Sequence, residues 1–145
     1  MKHQGNFSDF THLRNKELMR AFREVFAKKM SFDISKDFEL VVNSPCSRFW
    51  ISEERATAII SSILRGNDAL VGMRQSKQEM FKEILSRVIA LRDKNPDMQL
   101  RDIVFQVVNS PAPKFYMKPR HAREIIYKIK KGHFSRYSHS MDNYF

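Results

Sequence analysis

Val41 to Gly66 reads VVNSPCSRFWISEERATAIISSILRG, and Val107 to Gly132 reads VVNSPAPKFYMKPRHAREIIYKIKKG. The two stretches lie 66 residues apart and align without a gap, with eleven of 26 positions identical. The identities take in the whole VVNSP string, Phe49 with Phe115, Ala56 with Ala122, three isoleucines and the closing glycine. Conservative replacements extend them: Arg48 faces Lys114, Trp50 faces Tyr116 and Arg65 faces Lys131. A match of this length indicates duplication of one structural unit.

The hydrophobic period shows what is duplicated. Leu18, Ala21, Phe22, Val25 and Phe26 fall at i, i+3, i+4, i+7 and i+8, as do Phe81, Ile84, Leu85, Val88 and Ile89, so each repeat opens with an amphipathic helix. Ile34, Phe38, Val41 and Val42, and more cleanly Leu100, Ile103, Val104, Val107 and Val108, mark a second helix. It has to stop near Asn43 or Asn109, because Pro45 and Pro111 offer no amide proton and push the preceding serine out of the helical region. The third helix carries Ala56, Ile59, Ile60 and Ile63, matched by Ala122, Ile125, Ile126 and Ile129. Ser52 suits its N-cap, Glu53 and Glu54 suit the positive end of its dipole, Pro119 suits a first turn, and Gly66 and Gly132 suit a left-handed terminator. The expected fold class is all-α, a tandem duplication of a three-helix unit. Helices are placed at about 15–29, 35–43, 52–65, 76–93, 98–109 and 118–131. The domains expected are residues 1–66 and 67–132, followed by a flexible basic and aromatic tail, 133–145.

Composition narrows the function. Twenty-six basic residues against 16 acidic ones give a net charge of +10, which favours a polyanionic partner. The first 66 residues hold 11 basic and 8 acidic side chains, and the remainder 15 and 8, so the excess is carried mainly by the second half. A single cysteine, Cys46, excludes an internal disulfide, and five scattered histidines without paired cysteines argue against structural zinc. The four glycines do not form a phosphate-cradling loop. Met1 to Phe10 lacks the apolar core of a signal sequence, and no run approaches about 20 apolar residues, so a cytoplasmic protein with no membrane partner is expected. Glu53 and Glu54 are adjacent and diverge on a helix, while His121 and Cys46 lack a sequence partner for a triad, so no catalytic role, cofactor or metal is expected.

A short helix, a proline-marked turn and a second helix within a three-helix unit resemble the helix-turn-helix class of nucleic-acid-binding domains over about Asn15 to Gly132. The connection from Asn43 to Ser52 is longer than that class's standard turn. The resemblance implies that the last helix enters the major groove while the preceding helices support it. The NSPAPKFY string at Asn109 to Tyr116 is also similar to that of small bacterial and mobile-element proteins, a resemblance that brings no activity with it.

Between Lys114 and Arg136 there are eight cations and the single acid Glu124. Lys114, Lys118, Lys130 and Lys131 are assigned to phosphate contacts, with Lys128 on the same basic helix; Arg120, Arg123 and Tyr127 are assigned to base reading, off the isoleucine stripe. In the first copy Glu53 and Glu54 would repel phosphate, leaving it a support or a weaker contact through Arg48, Arg55 and Arg65. A basic helix face is often only a solvated one. Phe49 and Phe115 read as core, with Trp50 and Tyr116 partly exposed; Asn43, Ser44, Asn109 and Ser110 need no role beyond ending a helix. The expected function is non-catalytic binding of nucleic acid, double-stranded DNA ahead of RNA, as a regulator or accessory factor of a mobile element. The alternative is a helical protein–protein adaptor, and a protein partner or homo-oligomer fits either reading.

Overall fold

A computed structural model of the chain describes residues 10–28 and 33–132. Its regular elements are six helices: α1 (Thr11–Ala27), α2 (Ile34–Val42), α3 (Glu53–Leu64), α4 (Gln75–Lys94), α5 (Leu100–Val108) and α6 (Pro119–Lys130). No strand occurs among the described residues. The largest departure from the expected boundaries is at α1, which starts at Thr11 rather than near Asn15.

Local chemistry accounts for the ends. Asp33 caps α2 by accepting from the amides of Ser35 and Lys36, Ser52 caps α3 by accepting from Arg55 N at 3.2 Å, and Pro119 opens α6 at a position that needs no donor. At the far end of α2 the Ser44 hydroxyl donates back to Leu40 O at 2.9 Å, and beyond α5 the Asn109 side-chain amide donates to Phe105 O at 2.9 Å. These bonds occupy terminal carbonyls just where the proline makes further helix impossible. Gly66 and Gly132, with φ of 90° and 78°, close α3 and α6 in the left-handed conformation that glycine adopts without steric cost.

The helices form two compact units whose boundaries are not those of the sequence repeat. Among the described residues, unit 1 comprises 10–28, 33–45 and 113–132, and unit 2 comprises 46–112. In unit 1, α2 packs on α1 and α6, which also touch each other; in unit 2, α5 packs on α3 and α4, which again touch. Each unit therefore takes its first two helices from one repeat and its third from the other.

The segment after NSP explains the exchange. Pro45 and Pro111 stop the preceding helix and favour extended chain, so no tight turn returns the third helix to its own repeat. Within unit 2, Cys46 and Ala112, the same position of the two repeats, form an antiparallel bridge with both N–H···O distances 3.0 Å. Three residues later Phe49 N donates to Val108 O at 3.0 Å, and in unit 1 the counterpart Phe115 N donates to Val42 O at 2.9 Å. Each aromatic is thus tied to the end of the other repeat's second helix. Residues 1–66 and 67–132 mark the repeat in sequence but not the grouping of helices in space. The helix-turn-helix analogy is weakened accordingly, since α2 and α6 pack together without being consecutive in the chain.

Packing in both units follows the isoleucine stripes. Leu18, Met19, Val41, Phe115, Ala122 and Ile126 fill unit 1; Phe49, Ile60, Phe81, Ile84, Ile103 and Val104 fill unit 2. Trp50, expected to be partly exposed, is 8% exposed and belongs to the core. Unit 1 buries a polar side chain at two positions where unit 2 buries an apolar one. Asn15 and Asp37 are 0% and 4% exposed, where the 66-residue offset places Phe81 and Ile103 in unit 2.

Candidate nucleic-acid interface

α6 is built from two incompatible faces. Ala122, Ile125, Ile126 and Ile129 are buried, and the 3.6-residue period leaves Arg120, Arg123, Glu124, Tyr127, Lys128 and Lys130 outside. Arg120 has 90% of its side chain exposed and stands 3.9 Å from Glu124, one turn on. A surface pair of that kind contributes little, so the guanidinium can be recruited elsewhere at small cost. Arg123, Lys118 and Lys128 are exposed with no partner among the described residues. Tyr127 is 58% exposed and carries the Lys131 ammonium 5.2 Å above its ring, which holds an aromatic face and a cation side by side.

Two of the assigned lysines are engaged by the fold. Lys130 places its ammonium 4.9 Å from the Phe22 ring of α1, and Lys114 stands 5.4 Å over Tyr116. Tyr116 is half-buried and has a φ of 56°, a left-handed conformation uncommon outside glycine. Arg136 lies outside the described residues, as does the tail 133–145.

The exchange of helices redistributes the charge. Among the described residues unit 1 holds 13 basic and 6 acidic side chains, net +7, whereas unit 2 holds 10 and 8, net +2. The basic helix is thereby joined to the basic α1. No protein-family model, curated protein or solved structure matches the chain. The site therefore rests on its own chemistry.

Unit 2 uses its equivalent residues differently. Arg48, considered as a weak phosphate contact, is a loop staple: Nε donates to Phe49 O at 2.9 Å, Nη2 to Ile51 O, and Nη1 to Asn109 Oδ1 at 3.4 Å, with Glu53 at 3.8 Å. Asn109, read as a helix stop alone, also donates to Glu53 Oε2 at 3.1 Å. Arg87 of α4 lies 5.0 Å from the centre of the Phe49 ring, pairs with Glu83 at 2.8 Å and donates to Pro111 O at 2.7 Å. Neither set was readable along the chain, because its members are brought together only by packing. Arg55, by contrast, is exposed and forms with Arg74 and Lys77 a group of cations; burial and then the two guanidinium charges lower the Lys77 pKa.

Glu53 supplies a pH test of this loop network. Burial alone would raise its carboxyl, but the Asn109 hydrogen bond, its backbone bond and the Arg48 charge outweigh burial and hold the pKa below the ordinary value of 4.5. A depressed carboxyl stabilises the fold above its unfolded pKa, and that contribution is lost as pH falls through the folded value. The urea midpoint should therefore drop below about pH 4.5, and Glu53→Gln should flatten this acid limb. An unaltered limb in the variant would remove Glu53 from the network. Among the described residues no helix is long and apolar enough to cross a membrane, and no cluster of His, Cys, Asp or Glu could hold a metal ion.

Proposed function

We propose that the chain binds double-stranded DNA without catalysis, acting as a regulator or accessory factor, through the outward face of α6. The observation that carries this reading is the division of α6 into a buried isoleucine stripe and an exposed Arg120–Arg123–Tyr127–Lys131 face within a unit whose described residues have net charge +7. A helix is the element that the major groove admits, arginine forks match guanine, and the flanking lysines attract phosphate whatever the sequence. α3 has the same core and the opposite surface. Ser52, Glu53 and Glu54 occupy its N-terminal turn, so its entry end repels phosphate. Unit 2 thus serves as support.

The test is the affinity of the full chain for random duplex DNA, single-stranded DNA and RNA, each at low and near-physiological salt. The expected result is micromolar or tighter duplex binding that falls steeply as salt rises. Preference for single strands would move Tyr127 from base-edge contact to stacking. No binding at low salt would overturn the proposal and return the chain to the adaptor reading.

A further inference from the structure

We propose that Arg14 and Asn15, on the first turns of α1, form a binding site for a phosphate-type oxyanion in unit 1, separate from the α6 face. The Arg14 side chain is half-buried, and its Nε and Nη2 both donate to Asn15 Oδ1, at 3.2 and 3.0 Å. No carboxylate among the described residues pairs with it, the buried Asp37 of α2 included. Asn15 is 0% exposed, and its Nδ2 has no acceptor. The two bonds from Arg14 fix the amide orientation, because the flipped amide would aim donors at donors.

What Arg14 and Asn15 themselves still offer is donors: the outer fork of the guanidinium and one buried amide nitrogen, neither of them hydrogen-bonded to the Asp37 carboxylate that is buried in the same unit. Unpaired donors and unpaired charge away from water are among the costliest features a fold can keep. Burial accordingly pushes the Arg14 pKa below its ordinary value. The fold itself does not require the pair, since the same two positions in unit 2 are Met80 and Phe81, 3% and 0% exposed and apolar. An oxyanion supplies the missing acceptors and the missing charge together, and the guanidinium fork is the side-chain group that matches it. A net charge of +7 over the described residues of the unit favours a doubly charged phosphate over a carboxylate.

The experiment is thermal unfolding of the full chain in phosphate-free buffer, with inorganic phosphate, sodium chloride or sodium acetate added at equal ionic strength. Phosphate should raise the Tm by roughly 2–5 °C over chloride at concentrations well above the dissociation constant. Arg14→Met, which installs the residue of unit 2, should unfold above the parent without phosphate and show no phosphate shift. Arg14→Lys keeps the charge without the fork; it should also lose the shift, and it serves if the methionine variant fails to fold. The double variant Arg120→Ala/Arg123→Ala should retain the parental shift, which separates this site from the α6 face. A shift that survives in both Arg14 variants, one that disappears in the double variant, one matched by acetate, or no shift in the parent would each overturn the assignment.

Discussion

Ile126→Asp should unfold the N-terminal helices α1 and α2 along with α6. Ile126 is 2% exposed, on the face of α6 that packs against α1 and α2, so the substitution places an unpaired carboxylate in the core of unit 1. The expected loss is about 4 kcal/mol or more, in the range reserved for buried charges and collapsed cores. Amide hydrogen exchange is the decisive readout, because it locates the loss along the chain. Protection should fall over Thr11–Ala27, Ile34–Val42 and Pro119–Lys130 together, ahead of α4 and α5. Loss confined instead to 75–130 would mean that the helices group repeat by repeat, and it would refute the exchanged arrangement.

Arg120→Ala/Arg123→Ala should weaken duplex binding at least about tenfold while leaving helicity unchanged. Both residues project from the exposed face of α6 and contribute nothing to the isoleucine stripe. Each bidentate pairing of an arginine with a base is worth about 1–3 kcal/mol of discrimination, so sequence preference should fall with affinity. Lysine substitutions on the same helix should behave differently. Lys128→Ala or Lys131→Ala should reduce affinity evenly across sequences and lower the salt slope by about one for each phosphate that the variant no longer neutralises. Fluorescence anisotropy at several salt concentrations separates the two patterns, and unchanged affinity in the double arginine variant would reject α6 as the reader.

Much of this was legible along the chain. Hydrophobic period, NSP stops, the Ser52 cap, Pro119 and the two closing glycines placed six helices, because each is a short-range device that acts within a turn or two. The outward position of Arg120, Arg123 and Tyr127 was equally readable, since burying four apolar residues of one helix commits the opposite face to water. α1 was harder. Its stripe was read from Leu18, but the buried set begins at Asn15, and a polar residue carries no hydrophobic signal. The offset of 66, carried upstream of Val41, would have exposed it by setting Asn15 against Phe81 and Asp37 against Ile103.

The sequence by itself determined the helices, the isoleucine stripes of α3 and α6 and the basic outer face of α6, all of which depend on neighbours within about a dozen residues. Only the tertiary structure decided which helices share a core. The two third helices carry matching apolar stripes, Ala56, Ile59, Ile60 and Ile63 against Ala122, Ile125, Ile126 and Ile129, so the stripe alone does not say which unit each helix fills. The choice falls to long-range contacts, the Cys46–Ala112 bridge and the bonds from Phe49 to Val108 and from Phe115 to Val42, which join residues about 60 to 70 positions apart. The same choice places the basic helix in the unit that holds Arg14 and Asn15, with Lys130 lying over Phe22.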